Sequence, residues 1–470
     1  MKQLFRTRTM THEQYADSGL KRCLSAFDLT LLGIGAIIGT GIFVLTGIAA
    51  ANQAGPAVVL SFIIAGVACA FAALSYAELA ASLGGCGSAY GYSYSAFGEF
   101  IAWMIGWTLL LEYGMSVAAV ANGWSGYFAN ALASVGLELP KAISSHPENG
   151  GIVNLPAVLV ILFLMGLLIV GVKESARLNA LMVTVKLATI AVFLFAATRH
   201  VDATNWIPFM PYGWFERAPG GETVGVLAGA SLVFFAYIGF DAVTTAAEEA
   251  HNPQRDLPIG ILAALAICTV VYIAVAGVLT GVVSYKELGV SSPVAAALLS
   301  IGHRWASGLV AVGVIAGLIT VMLVLYYGLT RIIFAMARDG LLPPFFSDIN
   351  PKTQTPVKTI VVVGLLCALF AGVLPLGKLA QLVNIGTLFA FVMVCGGVIL
   401  LRHTQPALHR PFRLPWNPLI PLAGALSCGA LMLFLPGHTW SRFVGWLLAG
   451  VAFYFLYSIR HSKLAAPSAG

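Results

Sequence analysis

The sequence predicts an all-α integral membrane protein with twelve membrane-spanning helices. Two observations predict this fold class: the composition and the repeated apolar blocks. Of the 470 residues, 59% are hydrophobic and only 9% are charged, whereas soluble domains carry about 25% charged residues. Each apolar block is long enough for the roughly 20 residues that a spanning helix needs. We place the spans at about 27–51, 56–82, 97–128, 154–171, 175–197, 224–248, 257–284, 304–335, 357–375, 380–401, 415–434 and 439–460.

Basic residues predict the orientation of these spans in the cell membrane. With both termini in the cytoplasm, most of the 25 lysines and arginines lie on the cytoplasmic side, as the positive-inside rule requires. The polar segment 1–25 then forms a cytoplasmic tail rather than a cleaved signal. Residues 26–460 form a single transmembrane domain, and residues 461–470 form a second cytoplasmic tail. The basic residues that give the net charge of +6 are therefore explained by the orientation of the spans, and they indicate no nucleic-acid partner.

The seven cysteines are scattered singly, mostly within apolar blocks, and no CxxC spacing occurs. This pattern predicts small packing residues rather than metal ligands or disulfides. The sequence therefore predicts neither a metal site nor a cofactor.

The first span contains GIGAIIGTGIF, Gly33 to Phe43, with four glycines in a run that otherwise favours a helix. Glycine costs a helix roughly 1 kcal/mol relative to alanine, so these positions need a reason. A dinucleotide fingerprint is rejected, because position 38 is isoleucine and the context is a membrane helix. Gly35 and Gly39 have the GxxxG spacing of close helix packing. Gly39-Thr40-Gly41 also fits an unwound segment, which hydrocarbon tolerates only beside a ligand or a wet cavity.

The sixth span contains a matching disturbance, FFAYIGFDA, where Gly239 and Asp241 interrupt the apolar run. Two interrupted helices five spans apart are typical of inverted-repeat transporters with a central binding site. We therefore predict one repeat over 26–198, a second over 222–402 and two appended helices at about 415–460. The second disturbance favours the unwound interpretation of the first.

Interrupted helices offer free backbone groups of both polarities. The N–H groups at the start of a half-helix bind anions, while freed carbonyls accept hydrogen bonds from an ammonium group. A zwitterionic amino acid satisfies both at once. The candidate donors to its carboxylate are Gly39, Thr40 and Gly41. The candidate acceptors from its ammonium are the carbonyls of Ile37, Phe235, Ala236 and Ile238. Further pocket candidates are Ser116, Leu325 and Phe235, the last as an aromatic lid.

Four stretches together carry a family resemblance: GIGAIIGTGIF, FFAYIGFDAV, NPQRDLPIGI and RDGLLP. The chain resembles the amino acid–polyamine–organocation superfamily over about residues 25 to 460, and within it the bacterial cationic amino acid transporter branch. The resemblance implies the five-plus-five inverted-repeat fold and transport of L-amino acids by alternating access. By analogy with heteromeric relatives it also implies a single-span accessory subunit as a candidate partner.

Lys186 lies about eleven residues into span 5, roughly 16 Å deep at 1.5 Å per residue. Ionisable residues at such depth indicate function by default, although a lysine that bonds a carbonyl of an unwound segment would also explain it. In sodium-driven relatives a cation sits between spans 1 and 8, and the resemblance implies that the Lys186 ammonium takes that place. Span 8 offers only Thr320 as a nearby hydroxyl, where a sodium site needs several oxygens. We therefore expect coupling to protons rather than to sodium.

Two carboxylates accompany Lys186 within the predicted membrane. Glu112 in span 3 is a candidate for a polar network with Tyr113 or Ser116, or for a pocket that takes a cationic side chain. Asp241 is a candidate cap for the second half of span 6. Glu78, Glu248 and Glu249 lie near span ends, where charges face the interface.

The pocket candidates are small or apolar, so the sequence favours a small neutral amino acid such as alanine. A buried cationic substrate without a partner would cost several kcal/mol, unless Glu112 reaches the cavity. Transport of arginine or lysine and exchange of amino acids or polyamines stay open as alternatives. An ion channel is disfavoured because no filter motif occurs, and a membrane enzyme because neither HExxH nor GxSxG occurs.

Overall fold

The computed structural model describes residue 6 and residues 24–83, 89–171, 176–218 and 223–463. The predicted tails lie largely outside this range, as do Cys23, Cys86 and the side chains of Glu248 and Glu249. The other five cysteines are free and buried, as expected for packing residues; they are Cys69, Cys268, Cys367, Cys395 and Cys428.

The described residues are mostly helical. The α-helices are α1 Ala26–Ile37, α2 Thr46–Ala49, α3 Val58–Leu83, α4 Ala89–Ala96, α5 Glu99–Ser134, α6 Lys141–Ser144, α7 Leu155–Val170, α8 Ala176–Ala197, α9 Val226–Val233, α10 Pro253–Val282, α11 Pro293–Ser300, α12 Arg304–Arg338, α13 Val357–Val373, α14 Leu376–Thr404, α15 Leu419–Leu433, α16 Gly437–Phe453 and α17 Ile459–His461. Shorter 3-10 segments are Gly55–Ala57, Pro147–Asn149, Thr198–His200, Ala203–Trp206, Phe234–Tyr237, Phe240–Glu249, Tyr285–Glu287 and Pro344–Ser347, and π-helical segments are Gly41–Leu45, Ala50–Ala54 and Tyr454–Ser458. Strands β1 Glu216–Arg217 and β2 Thr223–Val224 pair antiparallel.

Within the described residues, 8 helical stretches are long and apolar enough to cross a membrane, and four shorter apolar helices of 10–17 residues accompany them. The molecule is therefore a multi-pass helical membrane protein. Helix α5 is its centre: the α5 window is 89% buried, whereas the window in the last stretch, Gly437–His461, is only 22% buried. Helices α12 and α14 pack along α5. The large apolar side chains of α15 and α16 that remain exposed, such as Leu426 and Leu448, lie where lipid would cover them.

The first apolar helix, α1, ends within the glycine-containing stretch. Ser25 and Asp28 form a capping box at the start of α1, and α1 ends at Ile37. Ile38 then has an extended backbone (φ −73°, ψ 103°), and the chain resumes as a π-helix from Gly41. The first half-helix packs tightly through its other two glycines. A Cβ atom would lie 2.6 Å from Cβ of Ala264 at Gly33, and 2.5 Å from Oδ1 of Asn179 at Gly35.

The sixth span is interrupted by a different geometry. Helix α9 ends at Val233, and a 3-10 segment carries the chain to Tyr237. Ile238 is extended, and Gly239 has φ +116°, a conformation that side chains disfavour. The chain then continues as a 3-10 segment from Phe240, so a left-handed turn separates the two halves.

Charges near the C-terminal ends of α3 and α14 are buried together. Glu78 is only 2% exposed, so the expectation that it faces the interface is wrong. Its carboxylate accepts hydrogen bonds from Nε of Arg402 at 2.9 Å and from the backbone N–H of Leu414 at 2.8 Å, with Nε of Arg410 at 3.6 Å. Burial lowers the pKa of the Arg410 guanidinium, while Glu78 opposes that shift. The cluster ties the loop after α14 to α3.

A second polar cluster fixes the segment 135–153, between α5 and α7, against α5. Asn122 donates to the carbonyl of Leu374 at 2.8 Å, and its Oδ1 lies 3.0 Å from Nε2 of His146. The same oxygen accepts from Nδ2 of Asn154 at 3.1 Å, and Asn154 caps α7. Burial lowers the pKa of the His146 imidazole. The cluster holds α5 and α7 and the end of α13 together.

Candidate substrate site

A cavity lies where the two interrupted spans meet α5 and α12. Its empty space, including the part that is open to solvent, is about 290 Å³. Its lining residues are Ala36, Ile37, Gly39, Thr40, Gly41, Ser116, Val120, Phe235, Ile238, Val321 and Leu325. No lining residue carries a charged side chain, so charged groups of a ligand would meet backbone dipoles and hydroxyls.

The two interruptions touch each other through backbone. A Cβ atom at Gly41 would lie 2.3 Å from Cα and 2.4 Å from Cβ of Ala236, which no side chain can accommodate without a shift. At Gly39, in contrast, a Cβ would have an ordinary 3.5 Å contact with Val321. The glycine at position 41 is therefore required by the approach of the sixth span.

Tyr272 of α10 ties both interruptions together. Its hydroxyl lies 3.0 Å from the carbonyl oxygen of Ile37 and 2.8 Å from that of Ala236. Both carbonyls stand beside a break, where regular helical partners run out. One phenol therefore donates to an acceptor on each interrupted span.

Two hydroxyls in the cavity wall have no hydrogen-bond partner among the described residues: Thr40 Oγ1 and Ser116 Oγ. Both side chains are at most 1% exposed. Thr40 is packed against α5 at Gly123, where a Cβ would lie 2.5 Å from Cγ2 of Thr40. Because buried polar groups are normally paired, these hydroxyls are positioned for polar groups of a ligand.

Lys186 reaches the first interruption from α8. It is 1% exposed, and Nζ donates to the carbonyl oxygen of Gly35 at 2.7 Å. Gly35 belongs to the last turn of α1, whose carbonyls lack helical donors. The stem of Lys186 passes Gly317 of α12, where a Cβ would lie 2.9 Å from Cγ of Lys186. The ammonium thus lies between α1 and α12, directly behind the cavity.

The two carboxylates predicted to accompany Lys186, those of Glu112 and Asp241, lie outside the cavity lining. Both oxygens of Glu112 and Oδ1 of Asp241 have no hydrogen-bond partner among the described residues. Oδ2 of Asp241 accepts from the hydroxyl of Tyr113 at 3.3 Å. The N-cap of the segment after the break is Gly239, and Asp241 lies in the first turn that follows it. A carboxylate is favourable there, and the capping role of Asp241 stays a prediction. Neither predicted bond of Glu112, to Tyr113 or to Ser116, is among the bonds of the described residues.

The structure thus brings eight of the nine predicted substrate residues into the cavity wall and leaves Ala236 behind it, against Gly41. Sequence reasoning missed Ala36, Val120, Val321 and Tyr272. Val120 and Val321 each lie one turn from a predicted residue, Ser116 and Leu325, so helical spacing could have found them. No sequence signal pointed to Tyr272.

Comparison with known proteins decides the family. The family model for amino acid permeases matches residues 24–456. The chain belongs to the amino acid permease family. It is 47% identical over 468 residues, 99% of this chain and 100% of the relative, to the methylthioribose transporter of Bacillus subtilis (strain 168). It is 47% identical to the branched-chain amino acid permease BcaP of the same organism, over 98% of this chain and 99% of the relative.

A eukaryotic relative is more distant but still similar. The vacuolar cationic amino acid transporter 4 of Arabidopsis thaliana is 40% identical over 82% of this chain and 64% of its own length. These matches confirm the family resemblance that the four sequence stretches predict. This amino acid permease is therefore a transporter of the superfamily, and its substrate is a small molecule.

Proposed function

We propose that this permease imports small, neutral L-amino acids such as alanine across the cell membrane by alternating access, coupled to protons. In this proposal the chain crosses the membrane twelve times with both termini in the cytoplasm. Five spans of one repeat pack against five of the other, and the interrupted first and sixth spans carry the substrate between them.

One observation carries the proposal: the cavity is formed where free backbone of both interrupted spans comes together. The N–H groups of Gly39 to Gly41 stand at the start of a half-helix, which favours a carboxylate. The carbonyls of Ile37 and Ile238 stand on the opposite sides of the breaks and suit an ammonium group. A zwitterion pairs with both sets, and the hydroxyls of Thr40 and Ser116 add further donors.

The lining supports a small apolar substrate side chain. Val120, Val321 and Leu325 supply apolar side chains to the cavity wall from α5 and α12. A guanidinium or ammonium placed against them would lose its hydration without a charged partner, because Glu112 does not line the cavity. Transport of a cationic amino acid is therefore the weaker alternative, although one relative bears that name. Branched-chain substrates, as in the name of BcaP, would need the same apolar wall and more of the cavity.

Proton coupling is proposed from the position of Lys186. Its ammonium donates to the carbonyl of Gly35, four residues before Gly39, so loss of the proton would replace a charge-assisted hydrogen bond at the end of α1 by a weaker neutral one. An external proton excess would favour the charged form and with it the stronger bond. Protonation thus becomes linked to the geometry of the first interruption.

A second candidate is uptake of a methylthio sugar, since one relative of 47% identity is named a methylthioribose transporter. The unpartnered hydroxyls of Thr40 and Ser116 would pair with sugar hydroxyls, and the apolar wall would take the methylthio group. Such a ligand has no carboxylate, so it would leave the N–H groups of the first break without an anionic partner. For that reason we favour the amino acid.

The test is a screen of purified protein for thermal stabilisation by each L-amino acid and by methylthioribose. We expect alanine and its small neutral neighbours to give the largest shifts. Uptake into proteoliposomes then follows under a proton or a sodium gradient, with empty and substrate-loaded vesicles compared. Uptake driven by a sodium gradient but not by a proton gradient would refute proton coupling. Uptake that requires substrate inside the vesicles would indicate exchange. Stabilisation by methylthioribose alone would favour the second candidate.

A further inference from the structure

Asn384 of α14 holds the sixth span beside its interruption. The residue is fully buried. Its Nδ2 donates to the carbonyl oxygens of Ser231 at 2.6 Å and Leu232 at 3.0 Å. Both carbonyls belong to the last turn of α9, where α-helical donors run out. Because a carbonyl can only accept, the two partners fix the amide with its NH₂ group toward α9.

The contact has a counterpart at the first interruption. Nζ of Lys186 donates to the carbonyl of Gly35, also in the last turn before a break, and the two residues are 151 positions apart in the chain. Asn384 is 153 and 152 positions from Ser231 and Leu232. The matching separations are what an internal repeat produces, with α8 and α14 as the fifth helix of each half. Lys186 and Asn384 thus occupy equivalent positions.

The two donors differ in one chemical property. A lysine amine is titratable and can gain or lose a proton. A carboxamide does not titrate and keeps its two N–H donors at every physiological pH. Oδ1 of Asn384 has no hydrogen-bond partner among the described residues. An unpaired buried acceptor is unfavourable, so the stabilising contribution of Asn384 comes from the hydrogen bonds that its NH₂ group donates.

We infer that Asn384 is a positioning residue for the substrate site, the pH-independent counterpart of Lys186. Its amide fixes the end of α9 and thereby the 3-10 segment Phe234–Tyr237, which presents Phe235 to the cavity and Ala236 to Gly41. This inference rests on the proposed function in one respect, that the cavity is the substrate site.

The variants Asn384→Ala and Asn384→Asp test the inference, with Thr280→Val as the matched control. Thr280 is equally buried, and its hydroxyl bonds within its own helix α10. The first readout is hydrogen–deuterium exchange of peptides covering residues 234–238, which needs no ligand. The second is the apparent affinity for L-alanine, measured by thermal stabilisation from pH 5 to pH 8 and divided by that of the unmodified protein at each pH.

We expect Asn384→Ala to raise exchange in residues 234–238 and to weaken alanine binding about tenfold at every pH. In Asn384→Asp, the ionised carboxylate lacks donors and faces two carbonyls, whereas the protonated carboxyl supplies one O–H. Asn384→Asp should therefore bind almost normally at pH 5 and lose affinity as pH rises. Unchanged exchange in Asn384→Ala relative to Thr280→Val, or equal pH profiles for Asn384→Asp and Asn384→Ala, would overturn the inference. If the unmodified protein binds no amino acid, the proposed function fails instead, and the exchange readout alone decides the role of Asn384.

Discussion

The two interrupted spans use glycine for different physical reasons. In the first span, Gly41 stands where a Cβ would lie 2.3 Å from Cα of Ala236, so the requirement is steric. In the sixth span, Gly239 has φ +116°, so the requirement is conformational. The first break resumes as a π-helix and the second as a 3-10 segment. Similar glycine-containing stretches thus give two different ways of freeing backbone for a ligand.

The two breaks also differ in the groups that hold them. Lys186 donates to the first and Asn384 to the second, while Tyr272 donates to both. Of these three donors, only Lys186 carries a charged group. If transport is driven by protons, the first span is therefore where protonation alters the site, and the sixth span is the fixed wall against which the change occurs.

The largest effect should come from the point where the two breaks touch. Gly41→Ala would drive its Cβ into the backbone of Ala236, and overpacking of this kind costs about 1–3 kcal/mol, or up to roughly a hundredfold in affinity. We expect loss of both alanine binding and uptake while the protein still purifies as a folded monodisperse species. The control is Gly114→Ala on α5, where the nearest atom would be 3.7 Å away. Normal binding by Gly41→Ala would show that the sixth span does not need this approach.

How much of this site the sequence reveals depends on the kind of residue. The glycine pairs and the interruptions are visible because glycine and aspartate stand out in an apolar run, and Lys186 because a charge stands out there. The reason for Gly41 is different from the one predicted: the sequence suggests a nearby carboxylate, whereas the structure places the backbone of Ala236 against it. That contact depends on how the two spans cross, which no local pattern contains.

The sequence does not single out Tyr272 and Asn384, and the reason is the same for both. Each sits in a long helix whose apolar pattern is ordinary, and each acts only because packing brings it to a carbonyl on a distant span. Buried tyrosines are common in this molecule; Tyr127 and Tyr326 also donate to carbonyls. Residue type alone could not separate the tyrosine at the breaks from those that pack elsewhere.

Removing the titratable donor should separate binding from coupling. Lys186→Met keeps the length of the side chain but removes its charge, so the first break loses its donor at every pH. We expect alanine binding to persist, while proton-driven uptake falls at least about tenfold, within the usual range of coupling free energies. Lys358→Met, at an exposed surface lysine paired with Asp348, serves as the control. Full proton-driven uptake by Lys186→Met would assign the coupling to another group.

The smallest of these effects should come from the donor that both breaks share. Tyr272→Phe removes one hydroxyl and leaves the carbonyls of Ile37 and Ala236 without it. A hydrogen bond of this kind contributes about 1 kcal/mol, so alanine binding should weaken about fivefold, with the pH dependence of uptake unchanged. Tyr326→Phe is the matched control, because its buried hydroxyl donates to Ile360 on α13, away from both breaks.

The relative changes in binding and uptake of Tyr272→Phe would also show which break the hydroxyl serves. If the hydroxyl serves mainly the first span, Tyr272→Phe should resemble Lys186→Met and reduce uptake more than binding. If it serves the sixth, it should resemble Asn384→Ala and reduce binding at every pH alike. Equal behaviour of Tyr272→Phe and Tyr326→Phe would contradict a role at either break.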